Sequence, residues 1–220
     1  MKRNCILYNV LIFGLIAGNT SCQNEELSPY IEPQSGVHAY AKLAEDSPES
    51  FAAGDLTTPL DINIQWVSID QQLDVESIDL YVLFNEDYTD EDGNPLVAEH
   101  GGEEGVFFQT IDASQLSNRE NTTFTITQQD ILGLYEGATF DYDEDDTAEP
   151  VFSNSFKPSR TAGQPFIGDD TFVIRWELTT TDGLLFDSWS PSVCTEFETY
   201  TGELPNDGGF NCEISWGVSE

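Results

Sequence analysis

An all-β domain is the fold class that the sequence predicts, and three observations predict it. Several short stretches alternate apolar and polar residues with period two, as strands with one buried face do. Clusters of Gly, Pro, Asn, Asp and Ser punctuate them. No strand–helix–strand alternation and no solenoid-like repeat is present, so a parallel, doubly wound sheet is not expected.

Val37, Ala39, Ala41 and Leu43 alternate with His38, Tyr40 and Lys42 and predict a first strand. Glu45 to Thr58, rich in Ser, Pro, Ala and Gly, reads as a loop. Leu60, Ile62, Ile64 and Trp66 alternate with Asp61, Asn63 and Gln65 in a second strand. A third places Ile78, Leu80, Val82 and Phe84 on one face and Asp79, Tyr81 and Leu83 on the other. Asn85 to Gly105 reads as a long acidic hairpin loop. Val106–Ile111 and Thr122–Thr127 are further strands, and Gln128–Tyr135 is the one short helix, ending near Gly137. Asp141–Asp146 is a second acidic loop, and Pro150–Pro165 is irregular. In the strongest strand, Thr171–Leu178, Phe172, Ile174, Trp176 and Leu178 are in phase.

Its hairpin partner begins at Leu184, and loop length sets the register. A two-residue loop would face Leu178 with Asp187; the three-residue loop Thr181-Asp-Gly183 faces it with Phe186. Gly183 is therefore expected in the left-handed region, with a bulge. These elements together predict an antiparallel immunoglobulin-like β-sandwich with one short helix, spanning 36–194, with Trp66 and Trp176 in its core. Residues 22–35 read as a flexible tether carrying Pro29 and Pro33, and 195–220 as a C-terminal segment.

The 220 residues carry 41 Asp and Glu against 7 Lys and Arg, a formal charge of −34. Nucleic-acid affinity is supplied mainly by Lys and Arg neutralising phosphates, so nucleic acid is excluded as a partner. Divalent cations are attracted instead. Disorder does not follow from the acidity, because 12% of the residues are aromatic and the β-branched runs are long.

The amino terminus has the layout of a secretion signal over 1–21: Lys2 and Arg3, an apolar run from Ile6 to Ala17, then Thr20 and Ser21 before Cys22. The stretch Leu15-Ile-Ala-Gly-Asn-Thr-Ser-Cys22 resembles the signals of bacterial lipoproteins, in which this cysteine is acylated and becomes the first mature residue. The resemblance implies palmitate-type chains on Cys22. Each buried methylene contributes about 0.8 kcal/mol and two or more chains anchor stably. Glu25 and Glu26 resemble the acidic export signal that sends Bacteroidetes lipoproteins to the outer face of the outer membrane. Of the remaining cysteines, Cys5 leaves with the signal. Cys194 and Cys212 form an even pair whose bridge would close 17 intervening residues and stabilise by roughly 3 kcal/mol. Two free thiols or a metal site is the alternative, with no His or further Cys nearby to favour it.

Ile78-Asp-Leu-Tyr-Val-Leu-Phe84 and Phe172-Val-Ile-Arg-Trp-Glu-Leu-Thr-Thr-Thr-Asp-Gly-Leu-Leu-Phe186, behind a Ser-Cys signal, resemble uncharacterised Bacteroidetes lipoproteins encoded beside SusC/SusD-like uptake systems. The resemblance implies a setting: a non-enzymatic surface lipoprotein, an accessory or glycan-binding component of an outer-membrane uptake system. A structural or adhesive surface protein is the alternative, and a hydrolase with an unidentified carboxylate pair the second.

Few residues offer chemistry. Asp90, Asp92 and Asn94, and Asp141, Asp143 and Asp145, show the alternate oxygen ligands of calcium loops. Neither is an EF-hand, because Pro95 and Asp146 stand where the loop's Gly is needed. No other cofactor is expected. His100-Gly-Gly102 lacks any Gly-x-Ser-x-Gly partner and reads as a histidine in a flexible loop, and a zinc site cannot be assembled from His38 and His100. Trp189 and Trp216 lie in less regular, more polar surroundings and are candidates for stacking on sugar faces.

Overall fold

The computed structural model describes residues 35–220 apart from 69, 91, 162 and 191–210. In chain order the elements are β1 (Val37–Leu43), β2 (Phe51–Ala52), β3 (Leu60–Ser68), β4 (Val75–Thr89), β5 (Pro95–His100), β6 (Val106–Asp112), β7 (Thr122–Ile126), α1 (Gln128–Tyr135), β8 (Thr139–Phe140), β9 (Glu149–Pro150), β10 (Asp170–Thr180), β11 (Leu185–Asp187) and β12 (Ile214–Ser219). The described residues are mostly β with one α-helix, as the periodicity predicts. Among the described residues no helix is long and apolar enough to cross a membrane.

One sheet is β1-β3-β7, antiparallel throughout. The larger sheet orders β2-β12-β10-β4-β5, with β11 against β10 and β6 against β4. Its β12–β2 pair is parallel, so the expectation of purely antiparallel sheets does not hold. Two residues, Phe51 and Ala52, make this exception inside the stretch expected to be loop. The inward residues of both sheets belong to one apolar cluster: Ala39, Ile62 and Ile64 from the first, Leu80, Ile174 and Trp176 from the second. Strict alternation builds it, since β3 buries every second residue from Leu60 to Ser68. Trp66 and Trp176 lie in this core.

The β10–β11 hairpin has the expected register, with Leu178 opposite Phe186 and Gly183 at φ 83°. The Thr180 carbonyl accepts from the Gly183 amide at 2.8 Å, closing a tight three-residue loop. α1 starts at Thr127, whose hydroxyl accepts from the Asp130 amide at 3.1 Å while the Asp130 carboxylate accepts from the Thr127 amide at 2.9 Å. This reciprocal capping satisfies two otherwise orphaned donors.

Two longer segments also differ from expectation. The acidic loop expected over Asn85–Gly105 is mostly strand: β4 continues to Thr89, turns at Asp90–Asn94 and returns as β5. Glu86 and Tyr88 keep the inward phase of Ile78 to Phe84, and polar identity at position 86 hides that continuation. Then β5 and β6 pair with successive halves of β4, Phe84 facing His100 and Val82 facing Val106. They are one edge interrupted by a loop, which Gly105 draws tight. A Cβ on Gly105, at φ 95°, would stand 2.8 Å from the Val82 carbonyl oxygen. The second difference is the C-terminal segment: β12 pairs with β10 in the main sheet, Phe172 facing Trp216, so residues from Ile214 onward belong to the domain.

Candidate functional site

The outward face of the larger sheet gathers aromatic rings and carboxylates. Tyr81 points outward from β4 because its neighbours Leu80 and Val82 point into the core. On β6 the alternation counted back from Ile111 would send Phe107 inward, yet Phe107 is half exposed and faces Tyr81. The ladder slips between Leu80, which faces Gln109, and Tyr81, which faces Phe107. Phe108 is therefore the extra residue of a β-bulge; it packs against the core, and Phe107 is turned out. The rings of Tyr81 and Phe107 meet edge-to-face at 5.9 Å, and those of Tyr81 and Trp189 at 5.3 Å.

Beside this trio runs a row of carboxylates. Thr110, Asp79, Glu177 and Asp187 are successive cross-strand partners on β6, β4, β10 and β11. Asp79 accepts from the Thr110 hydroxyl at 2.5 Å. The Oδ1 atom of Asp187 is buried with no hydrogen-bond partner among the described residues. Burial pushes the Glu177 carboxyl above the usual carboxylate range, and repulsion from Asp79, Asp187 and Glu104 adds to it. Burial and the same kind of carboxylate neighbours, Glu177, Asp79 and Glu104, raise the Tyr81 phenol. Like charges directly opposed in a sheet are destabilising. Arg175, facing Tyr81, relieves little of this, since its Nε donates to Glu213 at 3.0 Å and its Nη1 to the Glu103 carbonyl.

A second polar cluster is buried and self-contained. Glu86 and Asp170, opposed at the end of the β4–β10 ladder, are both fully buried. Arg160 bridges them, with Nη2 2.9 Å from Glu86 and 2.9 Å from Asp170, and Nη1 3.0 Å from Asp170. Its guanidinium also stands over the rings of Phe84 and Phe152. Glu86 Oε2 accepts from the Tyr142 hydroxyl at 2.6 Å and lies 3.1 Å from His100 Nε2. Burial alone would raise Glu86; hydrogen bonds from His100 and Tyr142 and the charge of Arg160 outweigh it and hold the carboxyl low. His100 is thus a buried member of this cluster, not the loop histidine expected from its Gly-rich surroundings. These carboxylates are committed to Arg160 and brace the far end of β4, so they are unsuited to a reacting group.

The other expected site residues divide as follows. Trp216 is not available for stacking: it is buried on the inward phase of β12, its ring 5.9 Å from those of Phe51 and Phe172. Trp189 is half-buried and reaches the sheet face. Asp141, Asp143 and Asp145 converge, each offering a carboxylate oxygen within 4.8 Å of the others. Asp90 instead closes its own turn, accepting from the amide and side chain of Asn94 at 2.7 and 2.8 Å; Asp92 is exposed beside it. Cys22 and Cys194 lie outside the described residues, while Cys212, just before β12, is not a free thiol. Sequence reasoning missed Tyr81 and Phe107. The first is legible as the outward phase of β4; no local pattern marks the bulge that exposes the second.

No family model and no curated protein matches the chain. Among solved structures, it is similar to a provisionally assigned ApaA protein from Bordetella pertussis, at 8% identity and TM-score 0.24 over 86% of this chain and 98% of that one. A structural-genomics target designated SoR45 follows at 11% identity and TM-score 0.20, over 83% and 86%. Likenesses this weak carry no argument about fold or function.

Proposed function

We propose that this protein is a non-enzymatic lipoprotein that captures glycans at the cell surface as an accessory of a SusC/SusD-like uptake system. The observation that carries the reading is the ring trio Tyr81, Phe107 and Trp189 on one sheet face, bordered by carboxylate acceptors. Aromatic rings stack on the apolar faces of sugars while carboxylates accept from their hydroxyls. In this reading the two sheets pack as an immunoglobulin-like sandwich, supported by the single apolar cluster they share. Cys22 carries the acyl anchor to the outer membrane, and Cys194 bridges to Cys212.

Affinity electrophoresis against a polysaccharide panel tests the function, with Trp189→Ala and Phe107→Ala as the decisive variants. Retardation by at least one polysaccharide, lost in both variants, is expected; a wild-type chain that no polysaccharide retards refutes it. Mass spectrometry of the native amino terminus checks the anchor: an unmodified Cys22 or an intact Met1 would remove the membrane setting. Co-purification with a SusC/SusD-like pair checks the partner.

A further inference from the structure

We propose, building on the reading of this sheet face as a glycan platform, that its ligand is a neutral, hydroxyl-rich polysaccharide and that uronate- or sulfate-bearing glycans are excluded. A sugar stacked on Tyr81 or Trp189 meets the row of Asp79, Glu177 and Asp187 along the adjoining register line. These groups offer lone pairs and no donors. Among the described residues no donor reaches the buried Oδ1 of Asp187, and a buried acceptor left unpaired is costly. Vicinal hydroxyls of a neutral sugar donate to carboxylates bordering the rings in charge-assisted hydrogen bonds.

An anionic sugar finds the reverse. Within β4, β6, β10 and β11 the one basic side chain is Arg175, and both Glu213 and the Glu103 carbonyl already hold it. A ligand carboxylate or sulfate would sit against three carboxylates at contact range, well inside the roughly 8 Å over which physiological salt screens charge. The chain's net charge of −34 repels a polyanion during approach as well.

The test is a binding titration of the full chain, in 0.15 M and 1 M salt, against neutral polysaccharides (mixed-linkage glucan, xylan, mannan, starch) and anionic ones (polygalacturonate, alginate, dextran sulfate). At least one neutral polysaccharide is expected to bind tenfold or more tighter than every anionic one, with little change in high salt. Trp189→Ala and Phe107→Ala are expected to weaken that binding tenfold or more with the thermal midpoint retained. The triple variant Asp79→Asn, Glu177→Gln, Asp187→Asn is expected to narrow the gap between the two classes. Anionic polysaccharides binding as tightly as neutral ones would overturn the exclusion and leave the glycan platform standing. No binding of either class would overturn the platform itself, and the exclusion with it.

Discussion

The side-chain amide of Asn211 pairs with the backbone of Ala41 as a neighbouring strand would. Its Oδ1 accepts from the Ala41 amide at 2.9 Å and its Nδ2 donates to the Ala41 carbonyl at 2.8 Å. Ala41 lies on β1, which pairs with β3 on its other side. One amide group thus satisfies both buried backbone groups across 170 residues of sequence. Asn211→Ala leaves both without partners and is expected to destabilise by about 2 kcal/mol. Urea denaturation checks this, and a midpoint within error of the wild type would contradict it.

Arg160 holds two opposed, fully buried carboxylates. Arg160→Met strands both charges and is expected to cost about 3–5 kcal/mol, whereas Arg160→Met with Glu86→Gln and Asp170→Asn recovers most of the loss. Equilibrium unfolding of the two variants decides it: a single variant as stable as the triple would show that the charges are not what Arg160 restrains.

Glu177 carries a folded-state pKa above its ordinary 4.5. The fold therefore favours its protonated form, and its ionisation penalises stability as pH rises through these values. Glu177→Gln is expected to stabilise at pH 7, by about 0.5 kcal/mol for each opposed pair relieved, and to have no effect near pH 3. Thermal midpoints at the two pH values test the sign. A destabilising effect at pH 7 would mean that Glu177 has a stabilising partner.

Gly105 and Gly183 both have positive φ, but only Gly105 approaches other backbone closely. An alanine at either position meets the left-handed penalty of about 1–2 kcal/mol. Gly105→Ala adds the clash with the Val82 carbonyl and is expected to be clearly the worse of the two by denaturant midpoint. Equal losses would show that β4 and the loop part freely at this point.

The converging oxygens of Asp141, Asp143 and Asp145 are the residues to test for calcium. Calcium loops of extracellular modules bind in the range of about 10⁻⁴–10⁻³ M, which sets the concentrations to scan. Isothermal titration is expected to give saturable heat with millimolar calcium, lost in Asp143→Asn. Absence of heat in the wild type ends the calcium reading.

By itself the amino-acid order determined what is local. Period-two alternation marked β1, β3, the first half of β4 and β10, and loop length set Gly183 in the left-handed region with Phe186 opposite Leu178. Each depends on residues within one hairpin, where steric and burial rules act directly. Tertiary structure alone decided the polar and irregular positions. Glu86 reads as loop until Arg160, 74 residues away, makes its burial tolerable. Trp216 and Trp189 look alike in sequence; pairing of β12 with β10 buries the first and leaves the second on the face. Phe107 reaches Tyr81 only because a bulge shifts β6 by one residue, and a one-residue shift exchanges the two faces of a strand.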